Sequence, residues 1–469
     1  MTPSFTASEI VESTGGELVH GQRDSLFSGV SIDSRNIGEG ELFWAIKGEH
    51  HNGNDYVYDA LEKGAAGVVS DKAIFAPGLP GGVVGIKVAA SLAALQRLAS
   101  HNRQKNPVPL VAITGSNGKT TTKEITASIL KKRFEVLKNE GNLNNLIGVP
   151  LTLLKLHSDH EVAVVEMGMN RRGEIHELTT MARPDIGVIT NIGEAHLEGL
   201  GHVENIKRAK GELVEAMEGE HKVILNADDP AVMELAKFAR GEVITFGFDG
   251  KAHVRAEKAE VEWGKGTLFI LEAGEKRIPV LLPIYGIHQL YNALAASTVA
   301  YAMGFELEEM REGLEEYESY SGRMEIISKG GITIINDSYN ANPPSLRSAI
   351  ETMIKLADGR KIAVLGDMLE LGETAPLIHS RLGRYVHEKG VDMLVTFGAL
   401  AEKIAEGAVN SGMDSKNVHA FDDKSELIRY LKDESGPGDW LLVKGSRGMK
   451  MEEITAALTE DIDDKGRDD

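Results

Sequence analysis

No stretch of this chain narrows its possible folds more than Val111-Ala-Ile-Thr-Gly-Ser-Asn-Gly-Lys-Thr-Thr-Thr122. The apolar, β-branched start has the pattern of a strand buried on both faces, the glycines make a loop, and Lys119-Thr120-Thr121 open a helix. Gly115 and Gly118, with Ser116 and Asn117 between them, let the backbone wrap an anion without Cβ clashes, so that amide N–H groups and the helix N-terminus face it. In such a loop Lys119 supplies charge to the β- and γ-phosphates of a nucleotide and Thr120 a hydroxyl to Mg²⁺. Ile113 departs from the pattern G-x-x-x-x-G-K-[ST], because the first glycine belongs there. A glycine turn that merely joins strand to helix is the alternative, and Lys-Thr directly after the loop speaks against it.

Around this loop the chain repeats a strand–loop–helix pattern. Buried-strand runs occur over 110–113, 162–165, 186–190 and 223–225, and a second series over 332–335, 362–365, 393–397 and 440–443. Before them come short strand-like pieces over 30–32, 42–45, 66–70 and 83–88, then a helix over 89–101 with Leu92, Leu95 and Leu98 on one face. A length of 469 residues suits two to four domains. The expected fold class is α/β in three domains: a small N-terminal α/β domain over 1–86, a central P-loop domain with a parallel sheet over 87–317, and a Rossmann-like C-terminal domain over 318–469. No G-x-G-x-x-G follows any of these strands, which weakens a dinucleotide reading. The acidic tail from 460 is expected to be a solvated end.

Composition removes several function classes. With 51 Lys+Arg against 71 Asp+Glu the net charge is −20, the wrong sign for a general nucleic-acid binder. The absence of cysteine excludes disulfides, thiolate zinc sites and cysteine nucleophiles. The first residues show no basic then apolar leader, and the apolar helical stretch over 290–305 is too short to span a bilayer, so a soluble, cytoplasmic, monomeric chain without membrane insertion is expected.

Two further groups belong with the loop. Strand 162–165 ends at Glu166, and the next ends in Thr190-Asn-Ile-Gly-Glu-Ala-His196, which puts a carboxylate and an imidazole at the carboxyl edge where parallel sheets bind ligands. Either alone reads equally as a solvated loop residue.

Together these residues resemble the Mur ligase family, ATP-dependent enzymes that join amino acids or peptides to a UDP-linked muramoyl precursor, whose loop also lacks the first glycine. The resemblance runs over essentially the whole chain in the family's three-domain order. Asn142-Leu-Asn-Asn-Leu-Ile-Gly-Val-Pro-Leu-Thr-Leu-Leu154, Ala195-His-Leu-Glu-Gly-Leu-Gly201, Asn336-Asp-Ser-Tyr-Asn-Ala-Asn-Pro343 and Leu442-Val-Lys-Gly-Ser-Arg-Gly-Met-Lys-Met-Glu452 resemble the branch that joins D-alanyl-D-alanine to UDP-N-acetylmuramoyl-tripeptide. The implied chemistry is phosphorylation of the tripeptide carboxylate by ATP, then attack of the dipeptide amine.

By this resemblance Lys119 and Thr120 bind phosphates and metal, while Glu166 and His196 hold Mg²⁺, of which two ions are implied. Lys210, in Ala209-Lys-Gly-Glu212, matches a lysine that the family typically carbamylates, which makes it an oxygen ligand; without the resemblance it reads as an ordinary surface lysine on a helix over 204–217. Lys119, Lys210 and His196 are thus the implied catalytic groups. His288-Gln-Leu-Tyr-Asn292 matches an H-x-x-x-N whose asparagine meets adenine, Arg323 matches an ATP-contacting arginine, and Asp337 a ribose-binding aspartate. Asn142, Asn145, Tyr339, Asn340, Ser446 and Arg447 are the expected substrate-binding residues, the last two candidates for the dipeptide or its carboxylate, while Tyr339, Asn340 and Asn342 together shape the closed site. Ser31, Asp33, Ser34 and Arg35, with Lys47-Gly-Glu-His-His-Asn-Gly53, match the uridine-diphosphate elements. Asn139 departs from the threonine common in relatives, so no substrate contact is assigned to it.

Rival readings carry their own signatures. A diaminopimelate-adding relative needs Asp-Asn-Pro-Arg and a nucleotide switch needs N-K-x-D, and neither occurs. A folylpolyglutamate synthase leaves the N-terminal domain unexplained. ATP contacts divided between two domains imply that the C-terminal domain closes over the nucleotide.

Overall fold

The computed structural model describes residues 4–48, 51–72, 79–195, 197–319 and 321–460. Its backbone organises into three main sheets, taken here in chain order. The first has five strands: Glu17–His20 lies antiparallel to Val84–Lys87, which continues in parallel through Gly67–Ser70, Leu42–Trp44 and Val30–Ser31. The helix expected over 89–101 is Ser91–Lys105, and it leads from this sheet into the central one.

The central sheet has nine strands. Seven run in parallel in the spatial order Val136–Lys138, Val162–Glu166, Leu110–Thr114, Ile186–Ile189, Lys222–Asn226, Glu242–Gly247 and Val254–Glu262. The chain leaves Leu110–Thr114 to build strands on one side and then crosses back to the other. The glycine loop therefore sits at the point where strand order reverses, where such sheets open a crevice at their carboxyl edge. Leu110–Thr114 is buried at every position, as its unbroken apolar run requires. Gly266–Ala273 and Lys276–Leu282 extend the sheet as antiparallel strands, an addition that the repeating strand–helix pattern did not signal.

The C-terminal sheet has six strands in the order Glu325–Lys329, Ile332–Asn336, Trp440–Lys444, Lys361–Gly366, Met393–Phe397 and Val418–Phe421, all parallel except the first. The late strand Trp440–Lys444 fills the gap between Ile332–Asn336 and Lys361–Gly366. This puts Asp337, Asp367 and Ser446 at one carboxyl edge although they are far apart in sequence. Trp263, at the tip of a central-sheet hairpin, is 52% exposed yet lies 4.7 Å, centroid to centroid, from Trp440 of the C-terminal sheet.

One buried cation ties the connecting helix to the central sheet. Arg103 donates to the carbonyls of Ala182 (2.9 Å), Asn106 (3.0 Å) and Arg183 (3.4 Å) and to Asp185 Oδ2 (3.3 Å), which also accepts from the Leu110 N–H at the start of the loop-bearing strand. Removing it leaves these acceptors without their donor. Arg103→Ala is expected to lower the unfolding free energy by about 3 kcal/mol in urea titrations; a loss under about 1 kcal/mol would mean water replaces it at no cost.

Candidate active site at the glycine loop

The loop takes its shape from contacts that exclude side chains at two positions. Gly118 has φ +81°, and a Cβ there would lie 2.0 Å from Asn292 Oδ1; Gly115 has φ +149°, and a Cβ would lie 1.9 Å from Thr190 Oγ1. The strand after the loop-bearing one holds the turn in place. Asn191 accepts from the backbone N–H groups of Ser116 (2.9 Å, on its carbonyl) and Asn117 (2.9 Å, on its side chain), and Thr190 Oγ1 donates to the Asn117 carbonyl at 2.6 Å. Ser116 Oγ in turn exchanges hydrogen bonds with Gly193.

Two ammonium groups converge on one carbonyl. Lys119 Nζ donates to Gly115 O at 2.9 Å and Lys210 Nζ donates to the same oxygen at 2.8 Å. Lys119 is half-buried but its ammonium end is enclosed. Burial pushes it below the usual lysine range, Glu166 opposing the shift and Arg323 adding to it. Lys210 is 1% exposed, and burial, with Lys119 beside it, holds its ammonium well below the lysine range. The reading of Lys210 as a surface lysine is therefore overturned: the helix Val203–Ala216 turns it inward beneath the loop.

On the other side of the loop, Thr120 Oγ1 donates to Glu166 Oε2 at 2.8 Å and accepts from Arg323 Nη2 at 2.9 Å. Glu166 is 2% exposed, and its second oxygen accepts from Asn144 Nδ2 at 2.8 Å. Asn139 is fully buried and clamps the Glu166 backbone, accepting from its N–H at 2.9 Å and donating to its carbonyl at 3.2 Å. Asn139 thus holds the strand end that carries Glu166. Asn144, in the same Asn-rich segment, had no role assigned from sequence, and its amide holds one Glu166 oxygen. Hydroxyl and carboxylate oxygens in contact suit Mg²⁺, which takes one or two protein oxygens and completes its shell with water and phosphate. His196 lies outside the described residues.

The C-terminal sheet brings its own groups to this point. Arg323 stacks over the Tyr339 ring at 4.1 Å, and its Nε is enclosed without a hydrogen-bond partner. Asn342 Nδ2 donates to Asn117 Oδ1 at 2.6 Å, so the loop is touched from both domains. Asp337 is engaged by Lys444 Nζ at 2.5 Å, and Lys444 also donates to the Asn340 carbonyl at 2.8 Å. Lys444 was legible only as part of a motif. Ser446 Oγ donates to Ala341 O and accepts from Leu369 N–H, while the exposed Arg447 pairs with Glu452 at 3.0 Å.

Other expected contacts sit elsewhere or turn inward. Thr121 is buried, and Asn292, on the helix Ile287–Ala302, backs the loop through Thr122 Oγ1 at 3.4 Å. Asn142 is exposed, and Asn145 caps the helix Gly148–Leu154 through the Ile147 and Gly148 N–H groups. In the N-terminal sheet Arg35 makes a bidentate pair with Asp33, which holds that carboxyl down at about 2; Ser31 bonds to Asp33, and Ser34 is buried. None of these bonds reaches the glycine loop. Glu49 and His50 of the second uridine element lie outside the described residues.

Sequence patterns of one family match this chain in three stretches: "Mur ligase family, catalytic domain" over 26–103, "Mur ligase middle domain" over 113–300 and "Mur ligase, glutamate ligase domain" over 322–447. The chain belongs to the Mur ligase family. It is 36% identical over 458 residues to UDP-N-acetylmuramoyl-tripeptide--D-alanyl-D-alanine ligase of Bacillus subtilis (strain 168), covering 97% of this chain and 98% of that one. The ligase of the same name from Escherichia coli (strain K12) is 33% identical, covering 97% and 99%. Among solved structures, MurF from Acinetobacter baumannii superposes with a TM-score of 0.88 at 32% identity over 97% of this chain and 98% of that one. MurF ligase from Thermotoga maritima in complex with ADP gives 0.82 at 28% identity, covering 93% and 98%. A Mycobacterium tuberculosis folylpolyglutamate synthase, at 17% identity and a TM-score of 0.63, shares the fold alone.

The domain interface carries a pH signature. His288 Nδ1 is enclosed without a hydrogen-bond partner, and burial lowers the ring to about 4, Asp337 opposing the shift and Lys444 adding to it. The unfolded chain therefore takes up this proton first, and His288 subtracts stability as the pH falls from 6.5 towards 4. His288→Gln is expected to show a shallower loss of urea-unfolding free energy across that window than the wild type, and equal slopes would place the ring in water.

Proposed function

We infer that this chain is an ATP-dependent ligase that forms a C–N bond between UDP-N-acetylmuramoyl-tripeptide and D-alanyl-D-alanine. The observation that carries the reading is the convergence of Lys119, Glu166 and Arg323, from two domains, around Thr120 at a phosphate-binding loop. The likeness over nearly the whole chain to ligases of that name supports the choice of substrates.

A free carboxylate is a poor acyl donor because oxide is a poor leaving group. In the first step a tripeptide carboxylate oxygen attacks the γ-phosphorus of ATP, the β–γ bridge bond breaks, and ADP leaves with that bond's electrons. In the second the dipeptide amine attacks the acyl-phosphate carbon, loses a proton, and the C–O bond to phosphate breaks. Both steps gather negative oxygens in one cleft, so the task of the protein is charge and position. The loop N–H groups and Lys119 hold the β- and γ-phosphates. Arg323 reaches the same place from the C-terminal domain, and Asn292 and Asp337 flank the adenosine. Mg²⁺, when bound, offsets phosphate charge; Thr120, Glu166 and His196 are the residues that would hold it.

Lys210 is read as carbamylated. Depression below the usual lysine range favours the unprotonated, nucleophilic amine that carbon dioxide requires, and the product is an anion beside the Lys119 ammonium. Ser31, Ser34 and Arg35 are read as uridine-diphosphate contacts, and Asn142, Asn145, Tyr339, Asn340, Ser446 and Arg447 as peptide-side contacts. Domain boundaries near 86 and 317, a monomeric state and a cytoplasmic location complete the reading. Among the described residues no helix is long and apolar enough to cross a membrane.

Phosphate release measured with ATP, Mg²⁺, the UDP-linked tripeptide and D-alanyl-D-alanine is expected only when both acceptors are present, with a product heavier by the dipeptide; release without the dipeptide would overturn the reading. Lys119→Ala is expected to cut kcat by roughly a thousandfold with the fold intact. After incubation with ¹³C-carbon dioxide, the wild type is expected to show a carbamate carbon resonance that Lys210→Gln lacks, and no such resonance would remove the carbamate from the site.

A further inference from the structure

Lys123 is a lysine with no exposed surface, and no step of the ligase reading uses it. It sits on the helix Lys119–Leu130, three residues after Thr120, so the two side chains leave the helix on the same flank one turn apart. Its Nζ donates to the Asn139 carbonyl at 2.6 Å and pairs with Glu124 Oε1 at 3.0 Å. The other Glu124 oxygen is engaged by Lys138. Enclosing an ammonium is costly, and a leucine or methionine would fill the same interior space at lower cost.

Asn139 follows the three-residue strand Val136–Lys138, which lies at the edge of the central sheet and pairs with Val162–Glu166 as far as Lys138 opposite Val164. The ladder between these strands ends there, and the Asn139 backbone is held by Lys123 instead. Its side chain accepts from the Glu166 N–H at 2.9 Å and donates to the carbonyls of Leu143 at 2.9 Å and Glu166 at 3.2 Å. Glu166 in turn accepts from Thr120 at 2.8 Å. The contacts close a ring: Thr120 to Glu166, Glu166 to Asn139, Asn139 to Lys123, and Lys123 back to Thr120 along one helical turn. A displacement of Asn139 is therefore passed to the Glu166 carboxylate.

We propose that Lys123 is a positioning residue for Mg²⁺: by holding the Asn139 carbonyl it keeps the Glu166 carboxylate in register with the Thr120 hydroxyl. The proposal rests on the reading of Thr120 and Glu166 as Mg²⁺-binding residues of the ligase. Position and charge act in opposite directions here, because a nearby ammonium repels a cation. Removing Lys123 tightens metal binding if its field is what matters and weakens it if its position is.

The test titrates Mn²⁺, a paramagnetic stand-in for Mg²⁺, into the protein at saturating ADP and reads the free ion by electron paramagnetic resonance. Lys123→Met is expected to weaken Mn²⁺ binding roughly tenfold or more, with ADP affinity in the absence of metal within about twofold of wild type. Glu124→Gln, which leaves the Lys123–Asn139 bond in place, is expected to stay within about twofold on both measures. Lys123→Met/Glu124→Gln removes both charges of the buried pair and leaves neither unpartnered. It is expected to match Lys123→Met, and it carries the measurement if the single variant does not fold. Unchanged or tighter Mn²⁺ binding in the Lys123 variants, or an equal loss of metal-free ADP affinity, would overturn the proposal. A lysine that only supports the fold lowers the melting temperature without moving the metal constant. Wild-type protein that binds no Mn²⁺ beside ADP would refute the Mg²⁺ reading itself, and the proposal would fall with it.

Discussion

Two ammonium groups on a single backbone carbonyl set the character of this protein. Lys119 and Lys210 both donate to Gly115 O, and among the described residues neither is hydrogen-bonded to a carboxylate. Burial is the main cause that holds both ammonium groups below the usual lysine range, with Arg323 adding to it at Lys119 and Lys119 adding to it at Lys210. Such an arrangement is suited to a site built for an anion. The glycine loop adds N–H groups, the helix Lys119–Leu130 adds its N-terminal partial charge, and Arg323 adds a third cation from another domain.

Much of the surrounding architecture serves to hold that loop open. Gly115 can approach Thr190, and Gly118 can approach Asn292, only because neither has a Cβ. Asn191 and Thr190 supply the partners that the loop backbone would otherwise lack. On the far side, Asn139 and Asn144 fix the backbone and carboxylate of Glu166, so its oxygen meets Thr120 in a set orientation. Oxygen ligands of a hard cation need outer-layer support of this kind.

The C-terminal domain completes the site rather than merely covering it. Arg323 and Asn342 each bond to a loop residue, and the Lys444–Asp337 pair is buried where the two domains meet His288. A buried ion pair is weak support for stability, and its better-attested value is in specifying one arrangement over others. Here the arrangement specified is the one that sets Arg323 and Asn342 against the glycine loop.

The strand–loop–helix at 110–122, the parallel-strand runs and the carboxylate at the end of one of them were legible because each is a local pattern. A buried strand needs an unbroken apolar run, and a phosphate loop needs glycines at fixed spacing. The antiparallel strands Gly266–Ala273 and Lys276–Leu282 escaped because they break the repeating pattern, and Asn144 and Lys444 because a polar residue in a loop looks the same whether it is solvated or clamped. The same physics separates what each level decided. Sequence alone determined which backbone segments could be strand, loop or helix and placed the phosphate loop, because those choices depend on neighbours within a few residues. Only the tertiary structure decided that Lys210 is buried beneath Gly115 and that Arg323 reaches Thr120 across 203 positions, because burial and charge depend on what the fold brings close, and sequence distance does not encode it.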